Sequence, residues 1–176
     1  MYPGRIDLGI GRAPGSDQVT AFLLRGSGGT AVDEFPAEVR LIAQLLGLGS
    51  EPGGPIDIDL RGQAYSLRAT PQLATAPEVW LLGSSNYSAQ LAALMGLPYA
   101  FAHHFGSPGV NEALRRYRAE FTETEFGQQP RTLLPVNVIV DPDPEVAVRR
   151  AQPQLVQMTE LRTSGVVGRQ LTIEEA

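Results

Sequence analysis

The alternation of short apolar runs with helical segments constrains the fold of this chain more than any other feature. The apolar runs are residues 6–10, 78–82, 97–102 and 131–140, and the helical patterns are residues 33–47, a segment ending at Gly96, residues 111–121, and residues 145–162 with an interruption near Pro153. Strands that alternate with amphipathic helices are typical of a parallel sheet with covered faces. An α/β protein is therefore predicted.

One further run, residues 56–60, alternates apolar and acidic side chains. This pattern predicts a half-exposed strand outside the alternating core. Asp57 and Asp59 then point to the same face, and we expect that face to be solvated.

The absence of two reactive residue types excludes several kinds of site. The 176 residues include no cysteine, which excludes disulfides, thiol nucleophiles and cysteine-ligated zinc or iron–sulfur centres. All 14 basic residues are arginine, so Schiff-base chemistry and a Walker phosphate loop are excluded as well. His103 and His104 are adjacent and point in different directions on a helix or a strand, so no metal site is predicted.

Charge and hydropathy narrow the choice of partners. A net charge of -5 and a pI near 5.0 argue against a nucleic-acid-binding surface. No apolar run approaches the roughly 20 residues that span a bilayer, and the first residues lack the layout of a signal peptide. We therefore expect a cytoplasmic protein with no nucleic-acid or membrane partner.

Residues 78–98 predict a strand, a turn rich in hydroxyl groups and a helix that ends at Gly96. The first turn of a helix offers backbone N–H groups without intrahelical partners, and the helix dipole adds positive potential there. A phosphate binds at such a turn without any lysine. The pattern alone leaves two interpretations open: Ser84, Ser85 and Asn86 bind an anion, or they only cap the helix.

Polar residues follow three of the predicted core strands. Arg12 follows the first strand, Ser84 the second, and His103 and His104 the third. Because ligands bind at the carboxyl ends of parallel strands, these side chains are expected at one edge of the sheet. One histidine is expected to face a pocket there and the other to face the covering helix.

Two competing motifs are weaker. The glycine-rich residues 9–15 miss the dinucleotide fingerprint, because the third glycine lies one position late and no acidic residue closes a following strand about 20 residues on. Residues 83–87 resemble the nucleophile elbow of serine hydrolases. However, Tyr87 replaces the last glycine of that elbow, and no acidic residue lies between Ser85 and His104 to complete a triad.

Three motifs carry a resemblance to a known family. They are RIDLGIGRAPGSD at residues 5–17, LGSS at residues 82–85 and GLPYAFAHHF at residues 96–105. In this order and spacing they resemble the bacterial luciferase-like flavin-dependent monooxygenases, from residue 4 to about residue 140. The resemblance implies a (β/α)8 TIM barrel that binds reduced FMN at its C-terminal face and uses O2 to oxygenate a small organic substrate. It also allows a flavin reductase as a partner.

The resemblance further implies roles for individual residues. Arg12 matches the strand-end arginine that contacts the flavin phosphate. Ser84, Ser85 and Ser88 match the positions whose amides and hydroxyls hold the same phosphate. Some relatives use a deazaflavin and transfer hydride, so the resemblance favours FMN without fixing the cofactor.

Family members are considerably longer than this chain, which matches roughly strands four to seven of the barrel. We therefore expect one luciferase-like domain over residues 1–176 that is incomplete at both ends and has a poorly ordered tail over residues 163–176. Four strands leave two open edges and an uncovered apolar face. A second copy or a complementing half is expected to cover them. The alternative is a non-catalytic barrel remnant that serves as a dimerising module.

Overall fold

The computed structural model describes residues 2–12, 31–52, 54–105, 108–164 and 169–176. The described residues form two compact units, residues 2–12 with residues 31–135, and residues 136–164 with residues 169–176. Residues 13–17 of the first motif and residues 165–168 of the expected tail lie outside the described residues. The expectation of one domain over residues 1–176 stays a prediction. Within the described ranges, none of the helices combines the length and apolar character needed to cross a membrane.

The first unit is built around a sheet of four parallel strands. Its elements are β1 (Asp7–Gly11), α1 (Ala31–Leu45), β2 (Ile56–Leu60), β3 (Gln63–Leu67), β4 (Glu78–Gly83), α2 (Asn86–Met95), β5 (Tyr99–Phe101), a short 3-10 helix (His103–Phe105), α3 (Val110–Glu120) and β6 (Thr132–Leu133). The sheet order is β1-β4-β5-β6, and all neighbouring strands run parallel. The predicted α/β class and parallel sheet are confirmed.

The two faces of this sheet differ because side chains alternate along each strand. One face carries the core, where β4 and β5 bury four side chains completely: Val79, Leu81, Tyr99 and Phe101. Helix α2 joins this core through alanines, and such small side chains allow α2 to pack closely on the sheet and on α3. On the opposite face Leu82 and Leu133, which flank Ala100 in the strand register, are 38% and 48% exposed. Among the described residues, the sheet therefore carries its core on one face and partly exposed leucines on the other.

The strand predicted at residues 56–60 is confirmed as β2, but it belongs to a hairpin that the sequence pattern did not predict. β2 pairs antiparallel with β3. Arg61 and Gly62 connect the two strands with φ values of 58° and 80°, which is the backbone of a type I′ hairpin turn. The amide of Gly62 donates to Oδ1 of Asp59 at 2.8 Å. Asp57 and Asp59 are exposed, as predicted.

The strand predicted over residues 131–140 is wrong for most of its length. Only Thr132 and Leu133 pair with the sheet, opposite Tyr99 and Ala100. β5 ends at Phe101, one residue after Ala100, so it offers few further backbone groups for pairing. In addition, Pro135 has no N–H to donate to a strand ladder. The residues beyond it are largely exposed, up to 80% at Val140.

The second unit contains helix α4 (Pro144–Ser164), which begins where the amide of Glu145 donates to Oδ1 of Asp143 at 2.9 Å. The interruption predicted at Pro153 is wrong, because the helix runs through it. A proline inside a helix removes one backbone hydrogen bond, and the bonds on both sides maintain the helix here. Near the end of the chain, the Arg169 guanidinium forms an ion pair with the Glu175 carboxylate, with an N–O distance of 2.6 Å. This contact lowers the pKa of the Glu175 carboxyl to about 2.

Candidate functional site

A capping box shapes the turn between β4 and α2. Ser85 is the N-cap residue and has an extended backbone. Its hydroxyl accepts the amide of Ser88 at 3.3 Å, and the Ser88 hydroxyl accepts the amide of Ser85 at the same distance. The capping interpretation is thus confirmed for Ser85. The capping box occupies the amides of Ser85 and Ser88, whereas Ser84 and Ser85 remain exposed to solvent.

Gly83 allows this turn to lie close to the helix that follows. A Cβ atom at Gly83 would overlap the Ser88 side chain, so no larger residue fits without movement. Ser88 itself is 8% exposed, and its hydroxyl donates to the carbonyl of Ser85 at 2.8 Å. The Ser88 hydroxyl therefore faces the interior, unlike those of Ser84 and Ser85.

Arg12 reaches the first turn of α2 from the neighbouring strand. Gly11 pairs with Leu82 in the register of β1 and β4, so Arg12 follows β1 at the level where β4 ends. Its guanidinium carbon lies 4.4 Å from the centroid of the Tyr87 ring, and Tyr87 is the second residue of α2. The structure thus brings together a cation, exposed hydroxyls and a helix N-terminus, as the sequence predicted.

His103 and His104 lie at the same end of the sheet. The amide of Ala102 donates to the carbonyl of Gly83 at 2.9 Å, so Ser84 and His103 each come one residue after this hydrogen bond. Both histidines are half-buried in the short 3-10 helix. Nδ1 of His103 is buried and has no hydrogen-bond partner among the described residues. The structure therefore places both histidines at the predicted edge of the sheet, and the expectation that one of them faces a pocket stays a prediction.

The comparison with known protein families identifies the chain. The family model for luciferase-like monooxygenases matches residues 1–173. The chain belongs to this family. It is 42% identical over 139 residues to a luciferase-like monooxygenase of Escherichia coli strain K12, covering 79% of this chain and 38% of that protein. The family resemblance predicted from the three motifs is confirmed.

Two solved structures show the same fold. The luciferase-like chain superposes on the crystal structure of apo-MsnO8 with a TM-score of 0.73 and 29% identity, over 98% of this chain and 47% of that one. It matches the monooxygenase RslO1 from Streptomyces bottropensis with a TM-score of 0.61 and 18% identity, over 93% and 49% of the two chains. The chain thus spans about half of these barrels, and its fold is a partial (β/α)8 barrel.

Sequence reasoning on this luciferase-like chain missed three residues that shape the site. In the sequence, Tyr87 served only as an argument against a hydrolase-type turn, whereas in the structure its ring stacks on the Arg12 guanidinium. Tyr99 lies directly beneath the turn, and its place on the buried face follows from strand alternation once the register of β5 is known. Glu112 of α3 accepts a hydrogen bond from the Asn86 side chain at 2.9 Å, which brings a carboxylate to the start of α2.

The remaining sequence candidates do not add to this site. The Ser85 hydroxyl contacts the amide and hydroxyl of Ser88, which is the environment of a cap rather than of an activated nucleophile. Among the residues that the structure describes, no group of three or more His, Asp or Glu side chains is arranged to hold a metal ion.

Proposed function

We propose that this chain carries the phosphate-binding part of a flavin-dependent monooxygenase, which uses reduced FMN and O2 to oxygenate a small organic substrate. The observation that carries the proposal is the position of Arg12 over Tyr87, at the first turn of α2. Membership of the luciferase-like monooxygenase family supports the reaction class. The FMN cofactor and the substrate class rest on the family resemblance.

The donor set fits a phosphate monoester. An arginine fork donates two parallel hydrogen bonds to phosphate oxygens, and the first turn of a helix adds backbone N–H groups and a favourable dipole. Ser84 and Ser85 contribute exposed hydroxyls at the same turn. Ser88 contributes through its position, because its buried hydroxyl shapes the turn from below. Arg12, Ser84 and Ser85 would therefore hold the phosphate of FMN, and bound FMN would supply the redox chemistry.

The two histidines complete the proposed site. His103 and His104 follow β5 at the end of the sheet where the phosphate would bind. The ring nitrogens of an imidazole donate or accept hydrogen bonds. We therefore retain both residues as pocket candidates, with the buried Nδ1 of His103 as the atom available for a hydrogen bond.

The proposal assigns oxygenation to a complete barrel. The chain covers 38% of its Escherichia coli relative and 47% of apo-MsnO8, and the face of its sheet that carries Leu82 is exposed. An apolar sheet face and unpaired edges are stabilised when another element covers them. The missing half would come from further luciferase-like sequence or from a second copy of this chain. We also propose that a reductase supplies the reduced flavin and that the protein is cytoplasmic.

Binding of FMN and riboflavin tests the phosphate site, because the two ligands differ only by the phosphate. In Arg12→Ala we expect FMN affinity to fall by about tenfold or more, since a hydrogen bond to a charged group is lost, while riboflavin affinity stays unchanged. Arg40→Ala, which removes an exposed arginine of α1, is the matched control and should change neither.

Three results would contradict the proposal. Equal loss of FMN and riboflavin in Arg12→Ala would show that Arg12 does not act on the phosphate. A wild-type chain that binds neither ligand would favour the non-catalytic barrel remnant instead. A preference for a deazaflavin over FMN would indicate hydride transfer in place of oxygenation.

A further inference from the structure

The hydroxyl group of Tyr99 lies directly beneath the turn that joins β4 to α2. It lies 3.3 Å from the carbonyl oxygen of Gly83, 3.4 Å from that of Ser85 and 3.1 Å from the hydroxyl of Ser88. The Tyr99 side chain is fully buried, so these groups rather than water surround its hydroxyl. One buried hydroxyl thus contacts three successive parts of the candidate phosphate turn.

These contacts add to backbone hydrogen bonds that orient two peptide groups, because the carbonyl of Gly83 also accepts the amide of Ala102 at 2.9 Å and that of Ser85 accepts the amide of Ala89 at 3.2 Å. In a planar trans peptide the C=O of one residue and the N–H of the next point in opposite directions. Carbonyls of Gly83 and Ser85 that face Tyr99 therefore direct the amides of Ser84 and Asn86 away from the core.

We propose that Tyr99 is a positioning residue for flavin-phosphate binding, which acts by donating its single hydroxyl hydrogen to the acceptors on the inner side of the turn, so that the turn keeps the shape in which its outer side can bind the phosphate. This inference rests on the proposed function of the Arg12 site. Tyr99 does not touch the phosphate, because the turn lies between them. It acts through Ser88 and the backbone.

Tyr117 provides a matched control within the same core. It is also a fully buried tyrosine, and its ring centroid lies 5.6 Å from that of Tyr99. Its hydroxyl donates to the carbonyl of Leu97 at 3.0 Å and accepts the amide of Arg131 at 3.1 Å. Tyr99→Phe and Tyr117→Phe therefore remove the same atom from the same core, and only the first removal touches the turn.

The experiment measures FMN and riboflavin affinity in the whole chain, together with backbone amide hydrogen exchange of residues 84–88 without ligand. In Tyr99→Phe we expect FMN affinity to fall about fivefold, which is the usual net effect of losing one buried hydrogen bond, while riboflavin affinity is unchanged. We also expect faster exchange in residues 84–88. Tyr117→Phe should show neither effect on this turn.

The outcomes separate this inference from the proposed function. If Arg12→Ala weakens FMN binding and Tyr99→Phe does not, the role of Tyr99 is overturned and the phosphate site stands. If the wild-type chain binds no FMN, the phosphate site fails, and hydrogen exchange then decides whether Tyr99 orders the turn. Equal exchange in Tyr99→Phe and Tyr117→Phe would overturn that role too.

Discussion

The guanidinium carbon of Arg12 lies 4.4 Å above the ring of Tyr87, and this contact joins the end of β1 to the start of α2. A cation over an aromatic face is attracted by the ring quadrupole, and the stacking restricts a long, flexible side chain. Tyr87 is 39% exposed, so the contact lies at the surface where a ligand can reach the guanidinium. The pair explains how an arginine on one strand becomes part of a site built on the next.

The first prediction concerns this contact. Tyr87→Leu should lower FMN affinity by about two- to fivefold, because an exposed cation–π contact is worth roughly 0.5–1 kcal/mol and its loss frees the Arg12 side chain. Tyr87→Phe keeps the ring and should bind FMN like the wild type. Isothermal titration of both variants checks this. A similar loss in Tyr87→Phe would assign the effect to the hydroxyl rather than to the ring.

The second prediction concerns the close approach at Gly83. In Gly83→Ala the new methyl group would overlap the Ser88 side chain, so the turn must shift and the capping box opens. Overpacking of this kind costs about 1–3 kcal/mol. Urea denaturation should show this loss of stability, and FMN binding should weaken with it.

Gly11→Ala is the control for Gly83→Ala. At Gly11 a Cβ atom would lie 3.6 Å from the nearest atom, the carbonyl oxygen of Leu82, which is ordinary contact. The free energy of unfolding of Gly11→Ala should stay within about 0.5 kcal/mol of the wild-type value, because the alanine fits without strain. A Gly83→Ala variant as stable as Gly11→Ala would show that Ser88 can move aside at little cost.

Local sequence patterns were sufficient for the sheet and for much of the site. The alternation of strands and helices predicted four parallel strands, and parallel strands place the residues that follow them at one edge. Arg12 and Ser84 come directly after β1 and β4, so their proximity followed from topology alone. The sequence also predicted Ser85 as a helix cap and Gly96 as the helix end, since helix caps depend on only a few neighbouring residues.

Features that depend on tertiary structure were not predictable in the same way. The stacking of Arg12 on Tyr87 depends on the register of two strands, which the local pattern does not contain. The turn at Arg61 was missed because an arginine with positive φ is not a usual turn signal. β6 was predicted too long because the apolar, β-branched residues of 136–140 have strand propensity but, within the part of the chain that the structure describes, no neighbouring strand to pair with.

The third prediction concerns the carboxylate beside the site. Glu112 is held by the Asn86 side chain at the first turn of α2, where its negative charge would repel a bound phosphate. Glu112→Gln should therefore raise FMN affinity about two- to threefold at low salt, and the gain should shrink as salt screens the charges. Riboflavin affinity should not change.

Glu38→Gln, which removes an exposed carboxylate of α1, is the control for a general change in net charge. It should leave FMN affinity unchanged. If both variants gain equally, the effect comes from the overall charge of the protein, and Glu112 has no special relation to the phosphate.

The last prediction concerns stability at alkaline pH. Burial raises the pKa of Tyr99 and of Tyr117 above the ordinary value of 10.0. Because the chain has no lysine or cysteine and arginine stays charged, its tyrosines are the side chains that titrate in this range. Above about pH 10 the unfolded chain releases protons that the native chain retains, so the contribution of these two tyrosines to the free energy of unfolding should be constant below that pH and fall above it. Urea denaturation at increasing pH should show this decline, and Tyr99→Phe combined with Tyr117→Phe should flatten it. An unchanged slope in the double variant would show that other groups cause the decline.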